Sequence, residues 1–212
     1  MKRFNKIYLL FLIFLSLPIL FGACVSLNKP TNKIEYYTLE YPPPQMETLN
    51  PLPHVIRMDR FTVAPPYNTS QIIYRDRSFK RDAYVYYRWQ TNPGAIVTTL
   101  LKRDIKNSGL FKAVLDPGSR FSSPYMIEGS VDEFFEWDTQ NAWKAILTVS
   151  IILTEKTKND IKNRMLYQKT YRKAEICQQK KPKAVAEAMS QALSKISKEM
   201  IIDVYDSLKT GQ

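Results

Sequence analysis

The spacing of apolar and polar residues changes several times along this chain, and each change predicts a different kind of segment. From Ile7 to Ala23 the residues are almost wholly apolar. From residue 34 onward, segments with alternating apolar and polar residues are interrupted by two in which apolar residues recur every three or four positions. Alternation is typical of a strand, and the longer spacing is typical of an amphipathic helix. The chain therefore predicts an apolar leader followed by a domain of strands and helices.

Eight segments carry the strand pattern, because they are rich in β-branched and aromatic residues and are bounded by turn-forming residues. They are residues 34–41, 54–64, 71–77, 82–90, 111–115, 125–137, 144–155 and 164–176. The proline-rich residues 42–53 predict an extended connector. The last three segments predict an antiparallel meander, with the mostly apolar 144–155 as its central strand.

The charged turn SFKR joins residues 71–77 to residues 82–90 and predicts a hairpin. Strict alternation within the second of these strands would divide its side chains between the two faces of the sheet. One face would carry Tyr84, Tyr86 and Arg88, and the other would carry Val85, Tyr87 and Trp89.

Two segments predict helices. The first begins at Asn92, a good N-cap residue followed by Pro93, and Gly109 predicts its end. The second covers residues 181–209, where apolar residues repeat at helical spacing. Two helices can cover only one face of such a sheet. The predicted fold class is therefore α+β, a two-layer domain with a mixed or antiparallel sheet and two long helices on one face.

The amino terminus has the features of an export signal. Three basic residues precede the apolar run, which is short for a spanning helix and contains Pro18. The run ends in Leu20-Phe21-Gly22-Ala23-Cys24, which resembles a bacterial lipobox, with Phe21 where leucine is more usual. This resemblance implies a signal peptide over residues 1–23, a covalent diacylglyceryl and acyl (palmitate) anchor on Cys24, a tether over 24–33 and a domain over 34–209.

Composition and candidate chemistry exclude several functions. The net charge of +11 would suit nucleic acid, anionic lipid or an acidic protein, but export argues against nucleic acid. If Cys24 is acylated, Cys177 has no disulfide partner and is expected to be a partly buried free thiol. His54 is the sole histidine, so neither a zinc site nor a catalytic triad is predicted. We expect no enzyme, no metal and no cofactor besides the anchor.

The stretch RMDRFTVAPPYNTSQIIYRDRSFKRDAYVYYRWQTNPGAIVTTLLKRDIKNSGLFKAVL carries a family resemblance. Its specific features are a strand ending at a proline-containing bend, QIIYR, YYRW before the helix and SGLFKAVL at its end, in this order after a lipobox. The chain resembles the PqiC-like ABC-type transport auxiliary lipoproteins over about residues 34–205. The resemblance implies a fold similar to the amino-terminal domain of TolB.

It also implies a non-catalytic adaptor on the periplasmic face of the outer membrane. The partners would be an MCE-domain protein and its ABC transporter, in a system that moves lipid, and homo-oligomerisation is left open. Val25 is not aspartate, which in the usual sorting rule favours the outer membrane. Tyr74, Arg75 and Arg88 match the family's strand motif and are candidate partner contacts, joined by Tyr86 as a neighbour of Arg88 on its predicted face.

Two other functions are left open by the sequence. A stand-alone lipid-binding lipoprotein would need an internal pocket lined by apolar side chains. An envelope hydrolase would need a nucleophile and a base, and His54 is the only obvious base.

Overall fold

The structure is a computed structural model that describes residues 33–46, 49–139, 142–156 and 163–210. The strands are β1 (Glu35–Tyr37), β2 (Leu52–Met58), β3 (Thr62–Val63), β4 (Gln71–Arg75), β5 (Arg81–Trp89), β6 (Phe111–Leu115), β7 (Tyr125–Asp138), β8 (Trp143–Lys156) and β9 (Asn163–Ile176). The helices are α1 (Pro93–Asn107) and α2 (Pro182–Thr210), with a 3₁₀ turn at Pro65–Tyr67. The predicted signal peptide, Cys24 and all of the tether except Lys33 lie outside the described residues. No helix in the described part of the chain is both long and apolar enough to span a membrane.

The sheet is organised around β7. Along one edge, β7 pairs antiparallel with β8 over their whole lengths, and β8 pairs antiparallel with β9. Along its other edge, β7 pairs parallel with β2, then β3, then β4. β2 continues to β6, and β4 continues through the antiparallel β5 to β1. The sheet therefore forks, with β2 and β6 beside the start of β7 and with β4, β5 and β1 beside its end.

Both helices cover one face of this sheet, which confirms the predicted fold class. α2 packs against β8 and β9, and α1 packs against β6, β7 and α2. The side chain of Asn92 accepts the Gly94 amide at 2.9 Å and starts α1. Gly109 has a φ of 68° just after the helix, a conformation that glycine adopts without strain, so it ends α1 as predicted. The central position predicted for residues 144–155 is also confirmed.

The predicted strand 54–64 is interrupted, because Phe61 takes part in the helix packing. Its amide donates to Thr98 Oγ1 of α1 at 3.0 Å, so the chain leaves the sheet between β2 and β3. The Phe61 ring lies over Gly129 of β7, where an added Cβ would come within 2.5 Å of the ring. A glycine is needed at this point of β7 because an aromatic ring occupies the space of its side chain.

The predicted strand 34–41 is shorter than expected, since only Glu35–Tyr37 pairs with the sheet. After Tyr37 the chain packs against the two helices. Leu39 is buried, the Glu40 amide donates to Ser190 Oγ at 3.0 Å, and the Tyr41 hydroxyl donates to Asp104 at 2.7 Å. Tertiary contacts with α1 and α2 thus replace strand pairing over residues that alternate like a strand.

The predicted hairpin of β4 and β5 is confirmed, but the predicted division of faces on β5 is wrong. Gln71 pairs with Arg88, whereas Ile73 pairs with Ala83, so β5 has three extra residues between these pairs. An odd insertion reverses which face the later residues point to. Tyr84 and Tyr87, expected on opposite faces, therefore have rings in contact, with centroids 5.7 Å apart.

Candidate interaction surface

The part of the sheet formed by β1, β4 and β5, here called the aromatic wing, carries a row of tyrosines. Ring centroids are 5.0 Å apart for Tyr74 and Tyr84, 5.7 Å for Tyr84 and Tyr87, and 6.3 Å for Tyr87 and Tyr37. Edge-to-face contacts of this kind stabilise beyond the burial of area alone. The row holds the three strands of the wing together.

The row is joined to the core by a buried carboxyl group. The Tyr84 hydroxyl donates to Glu136 at 3.0 Å, and Glu136 lies on β7 with 2% of its surface exposed. Burial raises the pKa of Glu136, and burial together with the nearby Glu136 raises the pKa of Tyr84. Burial and a hydrogen bond to Glu35 raise the pKa of Tyr37 to about 12. These hydroxyls remain protonated donors at physiological pH.

The four predicted contact residues all lie on this wing but do not form one cluster. Tyr74 and Arg75 lie where β4 ends, and Arg75 covers the ring of Trp137 at 5.4 Å. Arg88 lies at the other end of the hairpin, opposite Gln71. Tyr86 lies in the bulged part of β5 with 42% of its surface exposed.

The outer strands of the wing present an exposed apolar patch. Tyr36 of β1 is 61% exposed, and Val85 and Tyr86 of the neighbouring β5 are 64% and 42% exposed. Arg88 pairs in register with Tyr36. Its guanidinium Nε is buried and has no hydrogen-bond partner among the described residues. The patch thus combines apolar surface with a donor that the described chain leaves unsatisfied.

The end of the sheet where β4 and β7 finish, here called the hairpin end, is basic and aromatic. It includes the β4–β5 turn, in which Phe79 is 95% exposed and lies between Arg77 and Lys80. The half-buried Trp137 and Trp143 lie behind this turn. Lys180 lies over the Trp143 ring at 4.0 Å, as Arg75 does over Trp137.

The opposite end, where β7 begins, is here called the loop end. Its loop of residues 116–124 carries Phe121, which is 77% exposed, and borders an open groove of about 530 Å³. Arg57 of β2 donates to the carbonyls of Asp116 at 3.0 Å, Pro117 at 2.9 Å and Phe121 at 2.6 Å. Its guanidinium is therefore used to hold the loop.

A buried carboxylate ties the two helices together. Asp104 of α1 is fully buried and accepts hydrogen bonds from Ser197 of α2 at 2.6 Å and from Tyr41 at 2.7 Å. Arg103 donates to the same carboxylate at 2.8 Å and covers the Tyr41 ring at 4.6 Å. The Asp104 carboxylate is paired and hydrogen-bonded within the domain, so the cluster fits a structural role.

The residues considered for catalysis lie at opposite ends of the sheet, His54 beside Tyr125 where β7 begins and Cys177 beside Trp143 at the hairpin end. His54 of β2 packs edge-on against Tyr125 at 4.9 Å. Cys177 is a buried free thiol, and burial raises its pKa to about 12. Within the described ranges, no group of three or more His, Cys, Asp or Glu side chains is placed to hold a metal ion.

Three surface features were missed by sequence reasoning. Phe79 was read only as part of a charged turn, although a lone aromatic residue between basic residues at a hairpin turn was visible in the sequence. The exposure of Phe121 and the pairing of Trp137 and Trp143 with cations depend on contacts between distant segments and had no local signal.

The fold is shared with solved structures of low sequence identity. Protein XCC0632 from Xanthomonas campestris matches with a TM-score of 0.75 and 16% identity, covering 84% of this chain and 98% of its own. The hypothetical protein CT253 from Chlamydia trachomatis matches with a TM-score of 0.53 and 9% identity, covering 73% of this chain and 96% of its own. None of the curated proteins compared with the chain matches it.

A family model described as ABC-type transport auxiliary lipoprotein component matches residues 37–201. The match runs from the last residue of β1 to residue 201 within α2, and therefore includes α1, the first two thirds of α2 and strands β2 to β9. It confirms the resemblance drawn from the residues between β2 and β6. The chain belongs to the ABC-type transport auxiliary lipoproteins, the PqiC-like family.

Proposed function

We propose that the protein is an outer-membrane-anchored periplasmic lipoprotein that serves as a non-catalytic adaptor in an MCE-linked ABC lipid-transport system. Membership of the auxiliary lipoprotein family supports a role beside an ABC transporter. Cys24, preceded by an apolar leader and followed by Val25, supports an acyl anchor and the outer membrane as its destination. The MCE-domain protein is the proposed direct partner.

The observation that carries the adaptor role is the outer patch of the aromatic wing. Tyr36, Val85 and Tyr86 expose apolar surface next to the buried, unsatisfied Nε of Arg88. Tyrosine and arginine are enriched in the residues that dominate binding energy at protein interfaces. A partner that covers the patch would place its own polar groups beside the guanidinium of Arg88.

The packing of the domain supports an adaptor over a stand-alone lipid carrier. The interface between sheet and helices is filled by fully buried side chains, among them Leu101, Ile151, Met189 and Met200. A lipid carrier would need this space for acyl chains. The clefts of the described residues are open and lined in part by charged groups such as Arg57 and Lys102.

Co-purification tests the partner. The full-length protein, expressed at its native level, should recover MCE-domain proteins from solubilised envelopes, as identified by mass spectrometry. The double variant Tyr86→Ala with Arg88→Ala should recover about tenfold less, as expected when contacts worth more than about 1.4 kcal/mol are lost. Lys198→Ala, on the exposed side of α2, is the matched control and should behave like the wild type.

Recovery of no MCE-domain protein with the wild type would contradict the adaptor role. Stoichiometric lipid extracted from protein that carries no partner would favour the lipid carrier instead. Anchoring is tested separately by metabolic acyl labelling. The wild type should be labelled and Cys24→Ser should not, so equal labelling of both would refute the anchor.

A further inference from the structure

We propose that the hairpin end of the domain contacts the membrane surface that holds the acyl anchor, with Phe79 inserted among anionic lipid headgroups. This inference rests on the proposed anchoring of Cys24 but concerns a different surface from the partner patch. The occupant is a phospholipid surface, recognised by an exposed aromatic tip, flanking cations and tryptophans.

The direction of β1 places the entry of the chain on the same side. β1 is parallel to β5, and Glu35 pairs with Tyr87 while Tyr37 pairs with Trp89. β5 itself runs from the hairpin turn at Arg81 toward the middle of the sheet. Ile34 therefore lies on the side of Glu35 that faces the hairpin end.

The tether joins the domain nearer to the hairpin end than to the loop end. Glu35 pairs with Tyr87, beside the Arg88 that faces Gln71, so it lies about four residues, or about 13 Å, from the end of β4. The loop end is about 36 Å from the hairpin end, since about eleven residues at about 3.3 Å each separate Met126 from Trp137 along β7. The hairpin end is therefore the end of the sheet closer to the point where the tether joins.

The chemistry of the hairpin end fits a headgroup layer. Phe79 is 95% exposed, the largest fraction among the large apolar side chains described, and its neighbours Arg77 and Lys80 are exposed cations. Basic residues next to an aromatic side chain are drawn to anionic lipid surfaces while the ring enters the boundary with the acyl chains. Residues 75–82 carry four basic side chains against Asp76 and Asp82, and Lys80 is paired with Asp82 at 3.1 Å. The turn therefore presents Phe79 next to a net positive charge.

The residues behind the turn add the features of an interfacial belt. Trp137 and Trp143 are half-buried, with a cation over each ring. Tryptophan is enriched at the level of lipid headgroups because one end of its side chain is apolar and the other is a hydrogen-bond donor. Lys181 and Lys183, exposed near the start of α2, extend the positive charge across this end of the domain.

Tryptophan fluorescence with brominated lipids tests the contact. Full-length acylated Phe79→Trp and Phe121→Trp are each reconstituted in vesicles of equal phosphatidylethanolamine and phosphatidylglycerol with brominated acyl chains. Both phenylalanines are exposed, so both variants retain the core and share the same native tryptophan background. We expect Phe79→Trp to show a blue shift and quenching beyond the wild type, while Phe121→Trp matches the wild type.

Charge dependence sharpens the same measurement. Adding Arg77→Ala and Lys80→Ala to Phe79→Trp should remove most of the added quenching, and so should vesicles of phosphatidylethanolamine alone. Arg120→Ala, next to the tip of the loop end, is the matched control and should leave the quenching of Phe79→Trp unchanged.

The proposal is overturned if Phe79→Trp is quenched no more than the wild type, or if Phe121→Trp is quenched as strongly. If the fluorescence of Phe79→Trp shifts to the blue only after an envelope protein is added, the turn contacts that protein. This result would also overturn the proposal. Intact mass measured on the same sample reports acylation. Failure of the anchor or of MCE co-purification is thereby distinguished from failure of the membrane contact.

Discussion

The two ends of the sheet carry the same kind of loop and hold it in different ways. Each presents an exposed phenylalanine among basic residues, Phe79 at the hairpin end and Phe121 at the loop end. The loop end is fixed by a half-buried guanidinium from another strand, since Arg57 donates to several of its carbonyls. The hairpin turn is held by local bonds, chiefly those from Ser78 to Asp76. Two segments of similar composition therefore differ in the folded protein. The loop end is fixed by a distant strand, whereas the hairpin turn is held mainly by residues next to it in sequence.

Arg57→Ala should have the largest effect, because it removes charge-assisted hydrogen bonds to carbonyls of Asp116, Pro117 and Phe121. We expect a loss of about 2–3 kcal/mol in the free energy of unfolding. Urea denaturation measures this loss. Arg57→Lys should recover only part of it, because an ammonium group cannot reproduce the fork of donors. An unchanged urea midpoint for Arg57→Ala would show that the loop end is stable without the hydrogen bonds of Arg57.

Glu136→Gln should have the second largest effect on the free energy of unfolding. At neutral pH it should increase this free energy, whereas Arg57→Ala decreases it. Burial raises the pKa of Glu136 above its ordinary value of 4.5, so ionisation is more costly in the folded than in the unfolded protein. The wild type therefore loses stability as the pH rises from about 4.5 through the raised pKa. The glutamine variant lacks this loss. In thermal melts, the melting temperature of the variant relative to that of the wild type should rise from acidic to neutral pH. A difference that stays constant with pH would contradict the raised pKa of Glu136.

Arg75→Ala should have a smaller effect, because the cation over Trp137 is partly exposed. We expect a loss of about 0.5–1 kcal/mol in unfolding free energy. Denaturation alongside Arg57→Ala compares the two arginines directly. A loss as large as that of Arg57→Ala would mean that both ends are held equally firmly and would remove the contrast between them.

Ser78→Ala should have the smallest effect on global stability. It removes the hydroxyl bond to Asp76 and the acceptor for the Lys80 amide in an exposed turn, while the backbone amide of residue 78 keeps its bond to Asp76. We expect a change within about 0.5 kcal/mol in the free energy of unfolding, as for most surface substitutions. Hydrogen exchange should nevertheless become faster at the Lys80 amide, with exchange in β7 unchanged. Protection lost along the whole of β4 and β5 would show that the turn also stabilises the wing.

The sequence was most informative where the residues of a single helix or turn determine its structure. Asn92, Pro93 and Gly109 marked the ends of α1, and the charged turn SFKR at residues 78–81 marked the hairpin. It failed where distant segments decide the outcome. The shortening of β1 follows from Glu40 and Tyr41 bonding to the helices, and the reversed faces of β5 follow from a bulge that alternation cannot reveal.

The candidate surface was predicted in part for the same reason. Tyr74, Arg75, Tyr86 and Arg88 were correctly placed on one hairpin, but their spread along it follows from the pairing register. Their role as partner contacts remains a prediction. Phe79 was overlooked because its exposure is a property of the folded turn.

The sequence by itself determined the family, the two-layer class and the order of elements, and it predicts the export and acylation signal. These features depend on local spacing and composition. The tertiary structure decided the fork of the sheet, the faces of the aromatic wing and the contrast between its two ends. Parallel pairing of β2, β3 and β4 with β7 joins residues far apart in the chain. Such pairing is selected by the free energy of the whole packed domain and leaves no periodic mark in any one segment.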